Sequence, residues 1–327
     1  MIWHHHILDV TGDLEAKKIR AGFGDGLKQA GDKSDKVVGL CADLTESTNM
    51  HVFAEAHPDR FFEIGIAEQN LATVASGLAS QGLVPFAASY AAFSPGRNWE
   101  QIRTTACLNN QPVKIVGAHA GISVGPDGAT HQALEDLAIM RTLPNMVVIA
   151  PADYEEARKA TLAMAGDSRP NYIRLAREAV PAFTTDKTPF EIGKALVLTP
   201  GSDVTIIATG TMTYHALKAA ASMFNDGIDV EVIHCPTIKP LDAVTILSSV
   251  QKTGCVVTAE EHQITGGLGG AVAELLIEHL PVPMRRIGVK DRFGESGTPD
   301  ELMEHFGLTS KHIQLAVHDV LKATQKV

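Results

Sequence analysis

The stretch Phe61-Phe62-Glu63-Ile64-Gly65-Ile66-Ala67-Glu68-Gln69-Asn70 decides how this chain reads. Its first half is aromatic and β-branched enough for a buried strand, and behind it Leu71, Val74, Ala75 and Leu78 recur at helical spacing. One acid, Glu68, therefore falls where an apolar strand turns into a helix. In α/β proteins ligands are met at such junctions, where strand ends and helix starts converge. A first-turn acid also favours the helix dipole, and the position alone reads first as that local role.

Outward from this junction the pattern repeats. Val37–Leu40, Phe61–Ile64, Val113–Val116, Met146–Ile149 and Tyr172–Leu175 are short apolar runs separated by helical segments, which predicts a parallel sheet covered by helices over residues 15–180. The rhythm lapses in Pro181-Ala182-Phe183-Thr184-Thr185-Asp186-Lys187-Thr188-Pro189, a turn-rich run that reads as a linker over 181–192. It resumes with Asp203–Ala208, Val230–Ile233, Cys255–Thr258 and Arg286–Val289, giving a second α/β unit over 193–327. The fold expectation is two consecutive three-layer α/β domains with mostly parallel sheets, after an N-terminal tail of residues 1–14. In the second unit Gly266-Gly267-Leu268-Gly269-Gly270 precedes a helical run and reads either as an anion cradle at a helix start or as tight packing of loop on sheet.

Composition narrows the function. A chain of 327 residues, 45% hydrophobic, has enough apolar side chains for a core in each unit. A net charge of −10 disfavours nucleic acid and anionic membrane surfaces, which need a basic face. Cys41, Cys107, Cys235 and Cys255 lack paired metal-ligand spacing and read as reduced core thiols of a cytoplasmic protein; no metal site is expected within this chain. His4-His5-His6 reads as a solvated terminal tail. Gly22-Phe23-Gly24-Asp25-Gly26 lies inside a helical run without a preceding strand, so it supports neither a dinucleotide fingerprint nor a metal site.

Four separated words remain: Phe61–Ile66 with Ala67-Glu68-Gln69-Asn70; Pro85 to Phe93; Ala118-His119-Ala120-Gly121-Ile122-Ser123-Val124-Gly125 with Asp127-Gly128 and His131-Gln132; and Arg174-Leu175-Ala176-Arg177. In this order they resemble the pyrimidine-binding half of transketolases, thiamine-diphosphate enzymes that move two-carbon units between sugar phosphates. The resemblance implies a role for each residue. Glu68 is the acid that hydrogen-bonds ring N1′ of the aminopyrimidine, and its apolar neighbours would desolvate it. Tyr90 and Phe93 stack against that ring, and Asp43 is an acid near the thiazolium. His119 and His131 touch the sugar and relay protons, Asp127 reads a donor hydroxyl, and Arg20, Ser47 and Arg177 hold a phosphate.

Because the Gly-Asp-Gly and Asn words of the diphosphate-binding domain do not precede residue 60, the resemblance further implies half an enzyme. It would be the C-terminal subunit of a split transketolase. A separate N-terminal diphosphate-binding subunit would hold the cofactor's diphosphate and a divalent metal such as Mg2+ or Ca2+, in an α2β2 assembly. The competing readings are a β-type subunit of a 2-oxoacid dehydrogenase, a deoxyxylulose-phosphate-synthase-like enzyme, and a non-catalytic paralogue. Asp127-Gly128 with Thr130-His131-Gln132 speaks against the first, Asn70 after Gln69 against the second, and the intact Glu68, Asp127 and His131 set against the third.

Overall fold

The structure, a computed structural model, describes residues 3–324. In chain order the first half contains β1 (Ala16–Lys18), α1 (Ile19–Lys33), β2 (Val37–Cys41), α2 (His51–Ala56), β3 (Phe61–Glu63), α3 (Glu68–Ser80), β4 (Val84–Tyr90), α4 (Trp99–Gln101, continued by a wider turn over Ile102–Cys107), β5 (Lys114–Ala118), α5 (Asp136–Arg141), β6 (Val147–Ile149), α6 (Tyr154–Gly166), β7 (Asn171–Arg174) and β8 (Ala179–Pro181). The second half contains β9 (Leu196–Thr199), β10 (Val204–Ala208), α7 (Met212–Asn225), β11 (Val230–His234), β12 (Thr237–Lys239), α8 (Ala243–Thr253), β13 (Val256–Gln263), α9 (Leu268–His279), β14 (Met284–Val289), α10 (Pro299–His305) and α11 (Ser310–Thr324).

Apart from β1 and β8, which pair antiparallel as a separate ribbon, these strands build two mostly parallel sheets, as the alternating pattern requires. The first has the order β12-β6-β7-β5-β4-β2-β3 and the second β14-β13-β10-β11-β9; in each, one edge strand, β12 or β9, runs antiparallel. β12 lies in the second half of the chain yet completes the first sheet by pairing with β6. One apolar cluster accordingly runs unbroken from Leu71 and Ala75 of α3 to Ile207, Ile246 and Leu268 of the second unit. A second cluster packs α1, α2 and α6 on the far face of the first sheet.

Local chemistry sets the helix boundaries. Asp153 caps α6 by accepting from the Glu156 amide, Asp242 caps α8 at Thr245, and Thr298 with Glu301 forms a capping box on α10, each contributing about 1 kcal/mol. The glycine run in α1 is explained by packing. A Cβ on Gly22 would collide with the Tyr154 carbonyl, and one on Gly26 would lie 2.7 Å from the Arg158 carbonyl, so these glycines let α1 approach α6. The Gly266–Gly270 run closes on an acid of the same domain: Glu260 accepts from the amides of Leu268 and Gly269 at 2.7 and 2.8 Å, so an internal carboxylate already occupies this helix start.

Some expectations need correction. β3 is not a buried strand but the last strand of its sheet, covered on one side only, and Phe62 and Ile66 are 40% and 74% exposed. His4–His6 is not a solvated tail. The His4 amide donates to the Leu198 carbonyl at 2.7 Å, and the His6 carbonyl accepts from the hydroxyls of Thr185 and Thr188. No correction falls on the linker run after Pro181, which is held in place, with Phe183 fully buried and the amides of Phe183 and Thr184 both donating to Asp153. All four cysteines are buried free thiols. No helix among the described residues is long and apolar enough to cross a membrane.

Candidate active site

Parallel register brings distant residues to one edge. Cys41 is level with Glu63 and Ala88, Tyr90 with Ala118, and Gly117 with Arg174, so the segments that follow β2, β3, β5 and β7, and the last residue of β4, all emerge at the carboxyl edge of the first sheet. This gathers Asp43, Glu68, Tyr90, His119 and Arg177 from positions up to 134 residues apart, the difference between 177 and 43.

Glu68 opens α3 and is 2% exposed. The carboxylate is not left bare. Arg97 Nη1 lies 3.1 Å from both of its oxygens, and the Ser89 hydroxyl is 3.5 Å from Oε1. Arg97 also lies over the Phe93 ring, 4.1 Å from its centroid, so this one cation joins the acid to the aromatic wall. The sequence reading missed Arg97 because it pairs across 29 residues and sits in a Ser-Pro-Gly turn without periodic signal. Of the apolar neighbours expected to desolvate the acid, Phe61, Phe62, Ile64 and Ile66, two face solvent, Phe62 and Ile66; strand β4 and the 94–98 turn do the covering, with Asn98 donating to the Glu68 carbonyl at 2.9 Å.

The aromatic wall is continuous. Tyr90 stacks on His119 at 4.0 Å between centroids and on Phe93 at 5.9 Å, and His131 meets Phe93 edge-on at 5.4 Å. His119 has φ of 54°, a left-handed backbone that turns its ring back over the sheet edge. Arg20 Nη1 donates to its Nε2 at 3.0 Å and to the Ser47 carbonyl at 2.8 Å. Burial, with the Arg20 and Arg177 guanidinium groups nearby, pushes the His119 pKa down to about 3, so the ring is neutral near pH 7. Arginine only donates, so Nε2 is the acceptor and the proton resides on Nδ1. That Nδ1–H is buried and has no partner among the described residues, which leaves one N–H free for a ligand oxygen. Burial also lowers the pKa of Arg20, whose Nε is likewise unpartnered.

Arg177 and Asp127 form one unit. Arg177 Nη1 donates to the Val124 carbonyl at 2.6 Å and lies 3.4 Å from Asp127 Oδ1, while its Nε lies 3.4 Å from Glu178. Ser47 enters the site through its carbonyl. His131 Nδ1 shares a proton with the Thr130 hydroxyl at 2.9 Å. Asp43 stands somewhat apart: exposed, at φ of 56°, with its amide donating to Glu63 Oε1 at 2.6 Å. It caps no helix, since α2 starts only at His51. Glu63 also accepts from Thr45 and the Gly65 amide, and so ties the loop after β2 to the start of the Glu68 turn.

The second domain supports this edge from below. Glu261 of β13 accepts from the Ser123 amide at 2.7 Å and from the Thr211 hydroxyl at 2.8 Å, and its own carbonyl accepts from Arg174 at 2.7 Å. Gln132 donates to the carbonyls of Ile122, Gly125 and Glu295. The loop that carries Asp127 and His131 is thus held by residues from both domains, which no single-segment motif announces.

Two α/β domains, with an acid at a strand-to-helix turn, an aromatic wall and two arginines on the carboxyl edge of the first, define the class. Residues 15–182 match the transketolase pyrimidine-binding domain and residues 193–313 the transketolase C-terminal domain, and the chain belongs to the transketolase family. It is 43% identical to a Methanocaldococcus jannaschii protein named as a transketolase C-terminal section, over 94% of this chain and 97% of that one. It is 42% identical to the 6-deoxy-6-sulfo-D-fructose transketolase subunit SqwH of a Clostridium species, over 94% of this chain and 95% of that one. Among solved structures it is similar to a split-gene transketolase described as an inactive β4 tetramer, with a TM-score of 0.88 and 46% identity, covering 93% of this chain and 98% of that one.

Proposed function

We propose that this chain is the C-terminal subunit of a split, thiamine-diphosphate-dependent transketolase. It would transfer a two-carbon ketol unit from a ketose phosphate to an aldose phosphate, in the cytoplasm, and only together with a separate N-terminal subunit that binds the diphosphate and its Mg2+ or Ca2+, in an α2β2 assembly. The observation that carries this reading is the buried Glu68 carboxylate beside the Tyr90–Phe93 wall, on the same edge as Arg20, His119 and Arg177. The names of two similar proteins, a transketolase C-terminal section and a transketolase subunit, support the subunit reading.

The residues present fit the pyrimidine half of the cofactor. A carboxylate has about four acceptor positions, and Arg97 approaches Glu68 with a single nitrogen, so capacity remains for one more donor. Tyr90 and Phe93 offer flat apolar faces. When bound, thiamine diphosphate supplies the electron sink for breaking and making the carbon–carbon bond. In this reading Glu68 holds a proton at the pyrimidine nitrogen, and His119 Nδ1–H donates to a substrate oxygen. His131 stands edge-on to the wall as the proton relay. Asp127 reads a sugar hydroxyl while it orients Arg177 for the phosphate, Arg20 adds a second cation, and Asp43 provides a negative charge toward the cationic ring.

Glu68→Gln in the assembled enzyme tests the assignment. Turnover should fall by at least about 10²-fold, the range for losing a positioned acid–base group, with assembly unchanged. Near-normal turnover would reduce Glu68 to a helix-start acid.

A further inference from the structure

A cavity of about 560 Å³ lies on the second domain between β14, α10 and α11, lined by residues separate from those of the carboxyl-edge site. Its wall is basic in a chain of net charge −10: Arg285, Arg286, Lys290 and Arg292 face it with His305 and His312, against one acid, Asp319. The cations are not equally neutralised. Arg285 pairs with Asp319, and Arg292 with Glu295 at 2.6 Å. Arg286 donates only to the Ile264 carbonyl at 2.8 Å, and neither it nor Lys290 has a carboxylate partner among the described residues. Arg292 also donates to His305 Nε2 at 3.0 Å and lies 4.8 Å over Phe306, which fixes its guanidinium at the cavity wall. Ile287, Phe306 and Leu315 supply an apolar side.

We infer that this cavity binds the phosphate monoester of a small metabolite, independently of the transketolase reading. A phosphate monoester is close to dianionic at neutral pH, which matches two unpaired cations with two more beside them; a single carboxylate would leave part of that charge unmet. The volume is that of small-molecule pockets, and the apolar side fits the carbon skeleton of the ester. A nucleic acid is disfavoured, because the cations converge on one concavity while the rest of the chain is acidic.

The test is calorimetric titration of the full chain with ribose 5-phosphate, AMP and inorganic phosphate, in an Arg177→Ala background so that the carboxyl-edge clamp is weakened. At least one ester should saturate a single site more tightly than inorganic phosphate; the tighter ester shows whether a sugar phosphate or a nucleoside phosphate is the source. Lys290→Glu should weaken that binding at least about tenfold, the effect of losing one charge-assisted contact and adding a repulsive one. Lys290 is exposed and in no ion pair among the described residues, so this variant should fold, and Arg286→Glu is the second probe. Saturation by neither ester, esters binding no better than inorganic phosphate, or affinity unchanged in Lys290→Glu would overturn the inference.

Discussion

Replacing Arg97 by Met should destabilise the chain because of the acid it leaves behind. Glu68 is 2% exposed, and its two oxygens share Arg97 Nη1 at 3.1 Å; without it the only side-chain donor among the described residues is the distant Ser89 hydroxyl at 3.5 Å. Breaking a buried ion pair from one side costs about 3–5 kcal/mol. The Arg97 side chain is 46% exposed, however, so water already screens the pair and re-enters on truncation, and the start of α3 adds about 0.3–1 kcal/mol of support for the carboxylate. The expected loss is therefore about 1–3 kcal/mol. A double-mutant cycle isolates it: in a Glu68→Gln background the residue is neutral, and Arg97→Met should cost less than about 1 kcal/mol. The loss of the cation over Phe93 is common to both backgrounds and cancels. Urea unfolding of the four proteins at pH 7 gives a coupling energy, expected at about 1–2 kcal/mol. A coupling within about 0.5 kcal/mol of zero would refute the view that Arg97 is what balances the buried acid.

His119 makes stability depend on pH. Its folded pKa of about 3 lies below the ordinary 6.5, so between these values the unfolded state binds a proton that the folded state refuses. Above pH 7 there is no effect, and as pH falls from 6.5 the folded state loses up to about 1.4 kcal/mol per unit. Unfolding midpoints of the wild type should accordingly drop more steeply between pH 6.5 and 4 than those of His119→Asn, whose side chain tolerates the left-handed backbone; parallel curves would contradict this. In the assembled enzyme, Arg177→Ala should raise KM for xylulose 5-phosphate at least about tenfold and hardly change hydroxypyruvate, which has no phosphate; equal losses on both donors would remove the phosphate assignment. Asp127→Ala should likewise penalise the chiral ketose and spare hydroxypyruvate, and an equal effect on both would show that this carboxylate reads no hydroxyl.

The fold was legible where side chains repeat. Val37–Leu40, Tyr172–Leu175 and Asp203–Ala208 are mostly apolar runs of the kind a parallel sheet covered on both faces requires, and each coincides with a strand to within a residue. Strand β4 was masked: Pro85-Phe86-Ala87-Ala88-Ser89-Tyr90 is rich in alanine and holds a proline, and its aromatics read as ligand contacts rather than as part of a strand that lies inside its sheet between β5 and β2. β12, three residues joining the first sheet from the second half of the chain, carries no periodicity from which its partner could be read. The site divides in the same way. Glu68 stands at a strand-to-helix turn that local pattern locates, whereas Tyr90 and His119 are named by the resemblance of the words that hold them. Arg97, Glu63 and Glu261 act through contacts set by the tertiary fold, across 29, 20 and 138 residues, so only the assembled sheet reveals them.

The central claim is that this chain supplies one half of a shared active site. Its most direct test is ketol transfer from xylulose 5-phosphate to ribose 5-phosphate, measured with thiamine diphosphate and Mg2+ for the purified chain alone and after titration with a purified N-terminal diphosphate-binding transketolase subunit. The account predicts no transfer by the chain alone, and activity that rises with added partner to a plateau at equimolar subunits. Full turnover by this chain alone, in preparations shown to be free of the partner, would contradict it.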